Sequence, residues 1–313
     1  MKPYTLLSTD DLVQLIADVA SPSEVLNVSS DLGSAQTGFC YSSIPNTVAL
    51  AANIEWLTLA NESPCISCII TSSDIMKLSG DALNKPVLVY KNAAESFYVL
   101  HNRAIHKRTY ESKNWQPIQH IASSANIDDT TVMKGSVTIG ENVAIGPQCV
   151  VHGPVIIGNN TAIHEHCTIG SEGLFSKRIA GCLQHMSHYG GVSIGNDCQI
   201  HTGVNISRSV HFGGSSTLEN EVSIGIHANV GHDSVIGRAT TLSSKAILLG
   251  RVRIGANCWI GASAMVSNGI VVGEGSNVRL GAVVVQDLGP NSDVSGNFAQ
   301  PHHKRLRAML RGG

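Results

Sequence analysis

Residues 224–260 read IGIHANVGHDSVIGRATTLSSKAILLGRVRIGANCWI, with an aliphatic residue at every sixth position: Ile224, Val230, Ile236, Leu242, Leu248, Ile254 and Ile260. A period of six matches neither the 3.6 residues of an amphipathic helix nor the alternation of an ordinary strand. It matches a parallel β-helix, in which each hexad is one short flat strand plus a corner and the aliphatic side chain stacks on its equivalents in neighbouring coils. The series runs forward through Val266, Val272, Val278 and Val284, and backward through Leu218, Phe212, Ile206 and Ile200 to Ile194. An earlier run covers Ile121, Ile127, Met133, Ile139, Ile145, Val151, Ile157, Ile163 and Ile169. At three hexads per turn this predicts about eight coils. The expected fold is mainly β, a left-handed parallel β-helix of hexapeptide repeats.

Ile169 and Ile194 are 25 residues apart, which is not a multiple of six. The stretch SEGLFSKRIAGCLQHMSHYGG, residues 171–191, must therefore include an excursion from the coil, and long loops on a repeat scaffold usually carry function. Upstream of Ile121 the period vanishes. LLSTDDLVQLIADV reads as an amphipathic helix capped by Ser8 or Thr9, while CISCIITS and KPVLVYKN read as strands. The organisation expected is an α/β domain over 1–110, a β-helix over 111–288, and a loop followed by a short basic helix over 289–313.

The chain has 313 residues, with 21 Lys and Arg against 23 Asp and Glu, too close to neutrality for wholesale nucleic-acid binding. Asp10, Asp11 and Asp18 interrupt what would have to be the apolar part of a signal peptide, and no window is apolar enough to predict an integral membrane segment. Eight cysteines, mostly scattered through the repeats, suit small buried residues in a reducing compartment. A cytoplasmic location is expected, and the CISC of Cys65 and Cys68 reads as part of a buried strand rather than as a redox or metal motif.

The repeat does not ask for a histidine at position 232. The segments IGSEGL, LQHMSHYGGVSIGNDCQI, LENEVSIGIHANVGHDSVIG and VSGNFAQPHHKRLR resemble, in order and spacing, the UDP-3-O-acylglucosamine N-acyltransferase family of lipid A assembly. The likeness covers most of 110–311. It implies a homotrimer with active sites between subunits, His232 of GHDSVIG as general base, and Gly250, one turn further on, as backbone donor to the oxyanion. An imidazole suits a sugar ammonium that must lose a proton as it attacks a thioester, a backbone N–H can receive the charge of the tetrahedral intermediate, and at Gly250 a Cβ would crowd the thioester. Asp233 either orients the ring or serves only as a turn residue.

The resemblance further implies an acyl donor carrying phosphopantetheine on acyl carrier protein, a UDP-glucosamine-type nucleotide sugar as acceptor, and no bound cofactor or metal. Of the family's two uracil-stacking aromatics, the candidates are Phe39 and Tyr41 of TGFCYSSIPN, at altered spacing. A second histidine of the family falls on Asn268 or Gly269. In the excursion, Gln184, His185, His188 and Tyr189 are expected to contact the sugar. Lys304, Arg305, Arg307 and Arg311 near the end offer a docking surface for an acidic carrier protein.

Two other enzymes use the same prism. One is a coenzyme A-dependent N-acetyltransferase acting on a nucleotide-linked amino sugar of a surface polysaccharide. The other is a γ-type carbonic anhydrase, for which His227 and His232, with His164, His166, His201 and His211, would be candidate zinc ligands. The paired-ligand pattern of that family would put its second histidine at Gly237.

Overall fold

A computed structural model describes residues 8–17, 20–32, 36–79, 83–111 and 119–296, with side chains described throughout except over 104–111. The chain divides into two compact units. The first comprises 1–116 with 172–191 and 209–214, and the second comprises 117–171, 192–208 and 215–313.

The first described element of unit 1 is helix α1 (Thr9–Ile16), whose cap is Ser8. Its hydroxyl accepts the Asp11 N–H, and the Asp11 carboxylate accepts the Ser8 N–H, satisfying two donors that a helix start leaves orphaned. Strands β1 (Glu24–Leu26), β2 (Gln36–Gly38), β3 (Thr47–Ala51), β4 (Ile66–Ser72) and β5 (Val87–Tyr90) form a sheet in the order β1-β5-β4-β3-β2. Strands β2 to β5 run parallel, and β1 is antiparallel to β5. Helix α2 (Ile54–Glu62) connects β3 to β4, α3 (Ser73–Leu78) connects β4 to β5, and α4 (Ala93–Glu111) follows β5. Cys68 lies buried in β4, where desolvation pushes its thiol up to about 12. Such a thiol packs as an inert apolar group.

Residues 172–191 build an antiparallel hairpin, Ser176–Ile179 with Cys182–His185, turning through Ala180 and Gly181, both left-handed. Ile179 and Met186 insert into the core around Leu12, Phe97 and Leu100. The His101 ring from α4 donates from Nε2 to the Ser187 carbonyl (2.9 Å), which leaves Nδ1 to accept from Thr37 (2.6 Å).

Unit 2 is a parallel β-helix whose faces are sheets of nine, eight and eight strands. Partners such as Val230 and Leu248, or Ile236 and Ile254, are one coil of eighteen residues apart. The aliphatic residues are almost wholly buried, and a second inward position four residues later takes mostly small side chains, such as Ser234, Thr240, Ala246 and Cys258, with valine at 222 and 252. At the corners a left-handed residue recurs every sixth position, as at His227, Asp233, Ala239, Lys245, Arg251 and Asn257.

Two details depart from the sequence reading. Phe212 occupies no coil position: Ile206 pairs directly with Val230, so one turn measures 24 residues, and the extra hexad at 209–214 belongs to unit 1. An insertion of six preserves the count and therefore hides itself. The stack also continues past 288, where Asp293–Val294 pairs with Asn277–Val278.

Candidate active site

Asn229–Val230 is the last strand before the corner that carries His232 and Asp233. The Gly231 N–H donates to the Leu248 carbonyl and the Arg251 N–H to the His232 carbonyl, so the corner is tied to the next coil on both sides of the imidazole. Asp233 is the left-handed residue of the corner, with φ of 59°, a conformation that aspartate tolerates better than most residues. Its N–H donates to the hydroxyl of buried Ser216 at 2.9 Å, and its carboxylate lies 2.7 Å from His232 Nδ1. One residue thus makes the turn and grips the ring. A carboxylate can only accept, so Nδ1 carries the proton and Nε2 presents its lone pair. His232 is buried at 8 % exposure.

Gly250 lies directly under that ring. A Cβ built on it would come within 2.4 Å of His232 Nε2 and 2.6 Å of Cε1. The group it would crowd in this structure is the imidazole itself, a second reason for glycine beside the room that a thioester would need. The Gly250 N–H donates to Asn268 Oδ1 at 3.0 Å, and its carbonyl accepts the Gly269 N–H at 3.0 Å. Asn268 therefore sits on the atom to which the resemblance gives the oxyanion. Turn arithmetic could have found it, since it follows Gly250 by one full coil.

The remaining candidates are dispersed. Phe39 and Tyr41 are stacked on each other, with centroids 5.1 Å apart and planes 12° from parallel. A base held between two rings needs roughly 7 Å, twice the optimal carbon contact, so here only an outer ring face can receive one without the pair opening. Gln184 and His185 are exposed on the hairpin, Tyr189 is half-buried beside His101, and His188 is buried with its Nδ1 3.0 Å from the Met186 carbonyl. Of the histidines weighed as zinc ligands, His164 and His201 stack on one another in unit 2. His211 is edge-on to Phe39 in unit 1, and His227 lies exposed over Gly203. Among the described residues, one trio of metal-ligating side chains does converge, Glu172, His185 and His188. The sequence reading missed Glu172. Lys304, Arg305, Arg307 and Arg311 lie outside the described residues.

No described helix is long and apolar enough to cross a membrane.

Two segments match family models: residues 121–171 match Bacterial transferase hexapeptide (six repeats), and residues 251–286 match Hexapeptide repeat of succinyl-transferase. A UDP-3-O-acylglucosamine N-acyltransferase from Albidiferax ferrireducens is 29% identical over 130 residues, covering 42% of this chain and 39% of the relative. An acyl-(acyl-carrier-protein)–UDP-N-acetylglucosamine O-acyltransferase from Burkholderia thailandensis is 32% identical over 114 residues, covering 36% and 42%. The chain thus spans about two fifths of the length of these relatives. Among solved structures, a UDP-N-acetylglucosamine acyltransferase from Campylobacter jejuni aligns with a TM-score of 0.48 at 20% identity, covering 63% of this chain and 82% of the other. The chain is a hexapeptide-repeat protein with sequence similarity to UDP-3-O-acylglucosamine N-acyltransferase.

Proposed function

We propose that the protein is an acyltransferase that moves a 3-hydroxyacyl chain from the phosphopantetheine thioester of acyl carrier protein to the amine of a UDP-glucosamine-type sugar. The observation that carries this reading is the ring of His232, gripped by Asp233 at 2.7 Å and laid over Gly250. Nε2 accepts the proton that the amine sheds as its nitrogen attacks the thioester carbonyl. The tetrahedral intermediate collapses by breaking the C–S bond, and the imidazolium returns its proton to the departing thiolate, so the base ends as it began. Asp233 keeps the ring in place through its contact with Nδ1 while Nε2 holds the proton. For the Gly250 N–H to receive the oxyanion, the Asn268 amide has to turn aside.

Acceptor recognition is assigned to unit 1, with a face of the Phe39–Tyr41 pair for the base and Gln184 and Tyr189 for the sugar. Exposed apolar side chains on the β-helix, among them Ile156, Trp259, Leu280 and Val283, support self-association, which we take as a homotrimer.

The test is a mass-spectrometric acylation assay that offers acyl carrier protein and coenzyme A thioesters to UDP- and dTDP-linked amino sugars and to UDP-N-acetylglucosamine. Amide formation on a UDP-amino sugar from the carrier-protein donor is the expected result. An ester on UDP-N-acetylglucosamine would move the assignment to the O-acyltransferase class of the second relative, and use of acetyl-coenzyme A alone would overturn the carrier-protein donor. His232→Ala should lower kcat by about 10²- to 10⁴-fold and leave the oligomer seen by light scattering unchanged. Near-normal turnover in that variant would remove the base assignment.

A further inference from the structure

We propose that Glu172, His185 and His188 form a binding site for a divalent transition-metal ion of the zinc class. One ligand atom from each lies within 4.8 Å of the other two. Glu172 stands where the chain leaves the coil after Thr168–Ser171, and His185 closes the hairpin's second strand, so the site joins the two ends of the excursion. His185 Nε2 and Glu172 Oε2 are already 2.9 Å apart, and the rings of His185 and His188 lie nearly parallel, 15° apart in plane, with centroids at 5.9 Å.

The His188 tautomer suits an ion, and His185 Nε2, which donates to the Glu172 carboxylate in this structure, has to pass that proton to Nδ1 when it binds one. His188 Nδ1 is 3.0 Å from the Met186 carbonyl, which can only accept, so the proton is on Nδ1 and Nε2 carries the lone pair. A histidine whose second nitrogen donates to a backbone carbonyl is the usual arrangement behind a metal ligand, because that bond fixes the ring and raises the basicity of the other nitrogen. Two neutral imidazoles and a carboxylate are a donor set for zinc, at about 2.0–2.2 Å per bond, with a fourth position left for water. Ligands sharing one ion at that radius stand roughly 3.3 Å apart, so the trio has to contract by an ångström or so. His188 is buried and supplies a fixed corner, while the side chains of Glu172 and His185 are 47% and 45% exposed and have room to swing in. A bare exposed Glu–His pair would contribute little. With an ion shared by both and by His188, the same contact becomes a clip at the base of the hairpin.

The experiment uses the full chain, stripped with a chelator and titrated with Zn²⁺ alone against a chromophoric competitor. One ion per chain is expected, with a rise in Tm. Co²⁺ in place of Zn²⁺ should give the visible absorption of a tetrahedral site. Loss of a partner behind a metal ligand already costs about 10- to 100-fold in affinity, so Glu172→Gln and His185→Asn, both at exposed positions, should each cost at least that and abolish the Tm shift. His164→Asn, which breaks the stacked pair elsewhere, should change neither. Undiminished affinity in both Glu172→Gln and His185→Asn, loss of zinc in His164→Asn, or absence of binding by the unaltered chain would each overturn the site. None of these readouts depends on acyl transfer, so the site and the proposed activity stand or fall separately.

Discussion

Between Leu218 and Val284 the coil turns without interruption, whereas between Ser171 and Ser215 it departs twice, into the hairpin of 172–191 and the short loop of 209–214. In the first region each residue's place follows from its number: one position in six points inward with an aliphatic side chain, the fourth after it also points inward and is mostly small, and one corner residue is left-handed. In the second, order comes from contacts remote in sequence, such as His101 with Ser187 across 86 positions. Local counting therefore reaches the one region and not the other.

The strongest way to break this contrast is to remove a stacked side chain. Ile236 is fully buried between Leu218 and Ile254, so Ile236→Ala should cost about 2–5 kcal/mol, the transfer term plus the cavity left by a stack that collapses poorly. Leu183, 68% exposed on the hairpin, should tolerate alanine within about 0.5 kcal/mol. Denaturant melts of the two variants decide it, and equal losses would mean that the hairpin is as deeply integrated as the coil.

Glycines sharpen the comparison inside the regular region. A Cβ at Gly261 would meet backbone atoms of the next coil, the Leu280 nitrogen at 2.5 Å and the Val278 carbonyl oxygen at 2.8 Å. Backbone cannot step aside, and Gly261→Ala should cost about 1–3 kcal/mol in thermal or denaturant melts. At Gly250 the obstacle is the end of a side chain, which can swing. Gly250→Ala should lose about 1 kcal/mol, the worth of the His232–Asp233 hydrogen bond, while activity falls more than about 10²-fold through loss of the positioned base. If both alanines cost stability alone, the ring over Gly250 is packing and not chemistry.

What was legible follows the same division. The six-residue period gave the β-helix, and the one excursion whose length is not a multiple of six announced itself at 171–191. The inserted hexad around Phe212 did not, because an insertion equal to the period leaves every later count intact. At the site, His232 stood out as a histidine that the repeat does not require. Asp233 could be read as orienting the ring or as a turn residue alone, and spacing could not choose between them, because the reach of its carboxylate to Nδ1 depends on the direction of its side chain at the corner. Asn268 on the Gly250 N–H was within reach of turn arithmetic. The convergence of Glu172 with His185 and His188 was not, because it depends on how the hairpin folds back.

The hairpin tip offers the smallest and most local test. Ala180 and Gly181 both take left-handed backbone, with φ of 48° and 79°, between Ile179 and Cys182. Two left-handed residues make the tight turn that Asn-Gly fills best, and the Ala-Gly here carries only half of that signal, which is why the hairpin was not visible in the sequence. Alanine in this conformation costs roughly 1–2 kcal/mol, and asparagine visits it more readily. Ala180→Asn should therefore favour the closed hairpin by about 0.5–1 kcal/mol, with the Ala180 N–H still free to donate to the Glu95 carboxylate as it does now. Global melts would scarcely register this, because a hairpin opens locally before the chain unfolds. Amide exchange at 179 and 182 is the appropriate readout, and it should slow by about two- to fivefold. Faster exchange would mean that the tip is not left-handed, and that the hairpin is held by its base and by Glu95 rather than by its turn.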